Sequence, residues 1–147
     1  MTDAEILQAL TEEDVTALTL YGEGRGVDVL GRVAVGCVIR NRVLTKYRGA
    51  TYRAVCLAPR QFSCWNEADP NRGVLLDAAR GLLAGEDFPA PVLRECLWIA
   101  NGVVSGACLD PTKRSRHYHH RGVSPAWATG HQPVYVALPH VFYNEVP

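Results

Sequence analysis

Among the residues of this chain, Glu23 has the surroundings best suited to proton transfer. It falls where a helical pattern carrying Val15, Leu18 and Tyr21 meets the run Gly22-Glu23-Gly24-Arg25-Gly26. Its carboxyl therefore faces the negative end of a helix dipole, which raises its pKa, and partial burial would raise it further. Both effects favour a proton donor. Gly22 and Gly24 carry no side chains, which would let a bulky polymer approach the backbone as general-acid cleavage of a glycan bond requires. The alternative is a solvated glutamate in a glycine-rich turn, and local spacing alone leaves both readings open.

A second group of residues could hold a saccharide. Phe62 and Trp65, with Tyr118 and Trp127 further on, offer flat apolar faces for sugar rings, while Gln61, Ser63 and Asn66 can hydrogen-bond hydroxyl and acetamido groups. For any one of these aromatics, filling the core or its rim is the commoner role. His117, His119 and His120 invite a metal reading, because alternate strand residues share a face and imidazole is a common zinc ligand. No HExxH or comparable signature accompanies them, so a polar, hydrogen-bonded strand is the simpler reading and no metal is expected. The chain also lacks GxxxxGK[ST], a Rossmann GxGxxG and a GxSxG elbow, which leaves nucleotide cofactors and a serine nucleophile without support; no cofactor is expected.

The elements that must position these groups follow from capping and periodicity. Thr2 with Glu5, and Thr11 with Asp14, mark two helix starts, and the second helix should stop near Glu23 at the glycine run. From Asp28 to Thr45 the residues are apolar almost all round before Arg40-Asn41-Arg42, which predicts the buried central helix. A short helix is expected over 50–57, halted before Pro59, then a loop over 60–66 displaying its aromatics. Helices over 73–84 and 91–104 end at Gly85 and Gly106, the first with a stripe of Leu75, Ala78, Ala79, Leu82 and Leu83. Beyond Gly106, Tyr118, Val134-Tyr135-Val136 and Val141-Phe142-Tyr143 lie among prolines, glycines and all five histidines, predicting short strands and loops.

At 147 residues, with 48% hydrophobic and 20% charged residues, the chain reads as one globular domain over residues 1–147, α+β and mainly helical. Fifteen Lys and Arg balance fifteen Asp and Glu, against the positive excess of a nucleic-acid binder. The longest apolar stretch, Val33–Ile39, is too short to span a bilayer, so the protein is not expected to be membrane-integral. Cys37, Cys56, Cys64, Cys96 and Cys108 are odd in number and lack a CxxC pair, which reads as buried reduced thiols.

Five ordered segments resemble the SleB-type cell-wall hydrolases of spore-cortex lytic enzymes and related bacterial and phage proteins. They are LYGEGRG (Leu20 to Gly26), GRVAVGCVIRNRV (Gly31 to Val43), QFSCW (Gln61 to Trp65), HYHH with SPAW (His117 to His120, Ser124 to Trp127) and HVFY (His140 to Tyr143). The resemblance covers roughly residues 13–145. It implies a lysozyme-like fold and cleavage of peptidoglycan between N-acetylmuramic acid and N-acetylglucosamine. It places Glu23 on the family's catalytic glutamate, acting as general acid and then base to give a 1,6-anhydromuramoyl end, with Gln61, Phe62, Ser63, Trp65, Tyr118 and His119 along the substrate groove. Where relatives often read GEARGE, this chain has Gly24 and Val27, so the second acid of that motif is missing. Asp28, Glu67 and Asp69 are the candidates for a second carboxylate in a hydrolytic variant.

Peptidoglycan lies outside the cytoplasm, yet MTDAEILQALTEEDV carries acids where a secretory signal needs a basic start. The expectation is a monomeric endolysin made in the cytoplasm, released through a holin pore during lysis, with peptidoglycan as its partner. Three rivals stand beside it: a hydrolytic muramidase using a second carboxylate, a zinc amidase or peptidase built on the histidines, and a non-catalytic wall-binding module.

Overall fold

A computed structural model describes residues 1–24, 26–86 and 90–147. Thr2 and Thr11 cap α1 (Asp3–Ala9) and α2 (Glu12–Glu23): each hydroxyl accepts the backbone N–H three residues on, and Glu5 returns the bond to Thr2. Asp28 does the same for α3 (Val29–Leu44), accepting from the Gly31 N–H at 2.9 Å. Thr51 caps α4 (Tyr52–Leu57). Two further helices follow, α5 (Pro70–Leu83) and α6 (Pro91–Ser105), the latter ended by Gly106 in the left-handed conformation at φ 82°.

Helix α5 begins three residues before the predicted Gly73, because Asp69 caps it and Pro70 occupies its first turn, where a missing N–H is harmless. Of its predicted stripe, Leu75 and Ala79 are buried, whereas Leu83 is exposed.

The hub of the molecule is α2 rather than the predicted α3. Every residue from Val15 to Leu20 is at most 1% exposed, and α2 touches α3, α4, α5 and α6. Two of those residues are threonines, which the apolar pattern passed over. Thr16 and Thr19 can be buried because their hydroxyls donate to the carbonyls of Glu12 and Val15 at 2.8 and 2.7 Å. Helix α3 is nonetheless deeply packed, with Ala34, Val35, Val38 and Ile39 in the same core.

The C-terminal part forms a three-stranded antiparallel sheet in the order β1-β3-β2, from β1 (His117–His120), β2 (Tyr135–Ala137) and β3 (His140–Tyr143). Phe142 pairs with Tyr118 on one side and Tyr135 on the other, and it is fully buried against the helical core. The α+β, mainly helical architecture read from the sequence is the one observed. All five cysteines are free, and Cys37, Cys56, Cys64 and Cys96 are buried; burial pushes the Cys56 thiol up to about 12. No described helix is long and apolar enough to cross a membrane.

Candidate active site

Glu23 is the last residue of α2: the Gly24 N–H still bonds the Leu20 carbonyl at 2.8 Å, but the backbone of Gly24 leaves helical geometry at φ −101°, ψ 15°. Opposite it lies a short 3-10 turn, Ser63–Trp65, whose start has no side-chain cap. The turn's own bonds use the N–H groups of Trp65 and Asn66, leaving those of Ser63 and Cys64 for an outside acceptor. Glu23 is that acceptor: both N–H groups bond towards its carboxyl, and the Ser63 hydroxyl donates to Oε2 at 3.4 Å.

Burial of the carboxyl outweighs these bonds and raises its pKa above the ordinary 4.5, with the negative charge of Asp69 adding to the rise. Below pH 4.5 the neutral acid costs the fold nothing by this route. As pH rises through the folded value, a buried charge must form and stability is lost. The variant Glu23→Gln removes that charge, so its unfolding midpoint should gain on the wild type between acidic and neutral pH. Parallel urea titrations across that range check the sign.

Trp65 fixes the turn to the helix. It is 8% exposed and its indole N–H donates to the Thr19 hydroxyl at 2.9 Å. Gly22 makes the close approach possible, since a Cβ there would stand 2.7 Å from Cys64 Cβ and 2.9 Å from Leu75 Cδ1. Its lack of a side chain therefore serves helix packing and not access by a polymer, as the sequence suggested. Gly22→Ala should destabilise the protein by about 1–3 kcal/mol, measurable by chemical denaturation.

Tyr118, on β1, completes the surroundings of the acid. Burial, and then the charge of Glu23, hold its phenol well above the usual tyrosine range. The structure thus brings together Glu23, Ser63, Trp65 and Tyr118, with Trp65 serving the core instead of a groove. Phe62 and Trp65 are not displayed to a ligand: Phe62 is 2% exposed, and both belong to the core because the turn folds its apolar side chains under itself. Gln61 is half-buried, its side-chain oxygen 3.4 Å from Arg42 Nη1. His119 points to the opposite strand face from Tyr118, where Nε2 meets the Tyr143 hydroxyl at 3.0 Å and the ring stacks on Tyr143.

Among the described residues no group of three or more His, Cys, Asp and Glu is arranged to hold a metal ion. The position of the missing second acid, Val27, is buried at 6% exposure. Of the three candidates for a second carboxylate, Asp28 caps α3, Glu67 is exposed, and the negative charge of Asp69 helps raise the Glu23 pKa. Sequence reasoning missed Arg42 and Tyr47, which stand beside Gln61 and Tyr118; only the change from apolar to basic at the end of α3 marked the place.

The model of the cell wall hydrolase family matches residues 26–143, beginning just beyond Glu23. No curated protein matches the chain. Among solved structures, the chain is similar to the catalytic domain of the germination-specific lytic transglycosylase SleB from Bacillus anthracis. The identity is 22%, covering 92% of this chain and 98% of that one, with a TM-score of 0.64. It is also similar to the catalytic domain of the Bacillus cereus SleB protein, at 24% identity over 90% of this chain and 89% of that one, with a TM-score of 0.60. The expected lysozyme-like fold is therefore the observed one. With its family model spanning most of the sequence, the chain belongs to the cell wall hydrolases.

Proposed function

We propose that the protein cleaves the peptidoglycan glycan strand between N-acetylmuramic acid and N-acetylglucosamine as a lytic transglycosylase, with Glu23 as acid and then base. The observation that carries this reading is a single carboxyl of raised pKa, held by Ser63 and Cys64 at the end of a buried helix in a cell wall hydrolase. Glu23 protonates the glycosidic oxygen as the bond to the muramoyl C1 breaks. Its carboxylate then takes the proton of the muramoyl 6-hydroxyl as that oxygen bonds to C1, so no water is consumed.

The hydrolytic alternative keeps one specific support, the charge of Asp69 near Glu23. Digestion of purified peptidoglycan followed by mass spectrometry of the soluble muropeptides separates the two. Anhydromuramoyl ends, lighter by one water, are the expected result; reducing muramic ends would transfer the role of second group to Asp69. The same reading takes the protein to the wall as a monomeric endolysin passing a holin pore, and Sec-dependent export in the native host would overturn that route.

A further inference from the structure

Arg42 is a charged side chain only 6% exposed, and burial lowers its pKa. Its Nε donates to the Arg116 carbonyl at 2.8 Å and its Nη1 lies 3.4 Å from the Gln61 oxygen. Its guanidinium carbon stands 5.5 Å from the ring centres of both Tyr47 and Phe62. Arg48 and Arg116 approach the same Tyr47 ring, at 5.0 and 4.9 Å. Three guanidinium groups thus share one aromatic ring.

Four arginines of the fold are ion-paired: Arg32 with Glu95, Arg53 with Glu12, and Arg72 and Arg80 with Asp3. Among the described residues, no carboxylate lies within ion-pair distance of Arg42, Arg48, Arg60 or Arg116. The carbonyl, the amide oxygen and the rings offset part of the cost of burying Arg42 among like charges, and an arriving anion offsets more. His117 adds no further charge, since burial and then Arg42, Arg116 and Arg48 push it down to about 4; its buried Nδ1 has no partner.

Arg42, Arg48 and His117 line a cleft of about 410 Å³ that also includes Arg60, Gln61 and Tyr118. The cleft adjoins the acid, because Tyr118 feels the charge of Glu23, and Gln61 lies just before Ser63, which touches it. Its size falls in the range of roughly 300–1,000 Å³ typical of sites for multi-group ligands, more than one carboxylate would need. We propose that this cleft is a stem-peptide subsite, in which Arg42, Arg48 and Arg60 receive the free carboxylates of the peptide attached to the muramoyl residue beside the scissile bond. This rests on the glycan-cleaving reading above and adds to it a preference for peptide-bearing strands.

The test compares glycan strands carrying intact stem peptides with strands stripped by an amidase, which keep only the lactyl carboxylate. Arg48 and Arg60 are exposed, so the double variant Arg48→Gln/Arg60→Gln should fold. Its kcat/KM on peptide-bearing strands should fall at least about tenfold further than on stripped strands, through KM. A soluble stem tripeptide should bind the wild type and bind the variant at least about tenfold more weakly by calorimetry. An equal loss on both substrates, pointing to the lactyl carboxylate, would overturn the subsite, as would undetectable tripeptide binding to the wild type. If the wild type releases no fragments from either substrate, the glycan-cleaving reading fails, and the tripeptide arm still decides the cleft.

Discussion

Glu23→Gln should leave a folded protein that releases fragments from purified walls roughly 10²–10⁴-fold more slowly than the wild type, the usual contribution of a general acid. Glutamine matches the carboxyl in shape, and its side-chain oxygen can still accept from the N–H groups of Ser63 and Cys64, so the turn keeps its anchor. What is lost is the proton for the departing oxygen. Unaltered far-UV circular dichroism beside the lost activity would assign the defect to chemistry, whereas retained activity would remove Glu23 from its role. Asp69→Asn sharpens the result. Asparagine still caps α5, but the charge that helps raise the Glu23 pKa is gone. A one-carboxyl mechanism then predicts continued turnover with the basic limb of the pH profile displaced toward acid; a two-carboxyl hydrolysis predicts loss.

The second large effect is on stability. Trp65→Ala and Phe62→Ala should each destabilise the fold by about 3–5 kcal/mol, a large share of the roughly 5–15 kcal/mol that holds a domain together. Trp65→Ala also removes the indole donor to Thr19, though that hydroxyl keeps its own bond to the Val15 carbonyl. Trp65→Phe retains most of the apolar area and should lose about 0.5–1.5 kcal/mol for the missing hydrogen bond. Urea unfolding checks all three. Were these rings platforms for sugars, their removal would weaken substrate binding with the unfolding midpoint unchanged.

The difference between those outcomes is also the difference between what the residues disclosed and what they did not. Caps were legible because they are local: Thr2, Thr11 and Gly106 each act within a few residues, and each ends or begins a helix where expected. The end of α2 at Glu23 was legible for the same reason. The contact between Glu23 and Ser63, forty residues apart, has no periodic signature, and neither has the basic ring around Tyr47. Phe62 and Trp65 misled because an apolar side chain in a loop looks alike whether it is offered to a ligand or tucked beneath the backbone. Thr16 and Thr19 concealed the centrality of α2, since a hydroxyl satisfied by its own helix behaves in the core as a small apolar group.

The indole of Trp65 holds the turn to Thr19, in the middle of the most buried helix, and Glu23 is that same helix's last residue. A catalytic group borne on a lid can be disabled by local opening while the remainder of the molecule stays native. Here the carboxyl and the turn that faces it are both fastened to the core helix. On the role proposed for Glu23, folding of the core itself sets the proton donor in place.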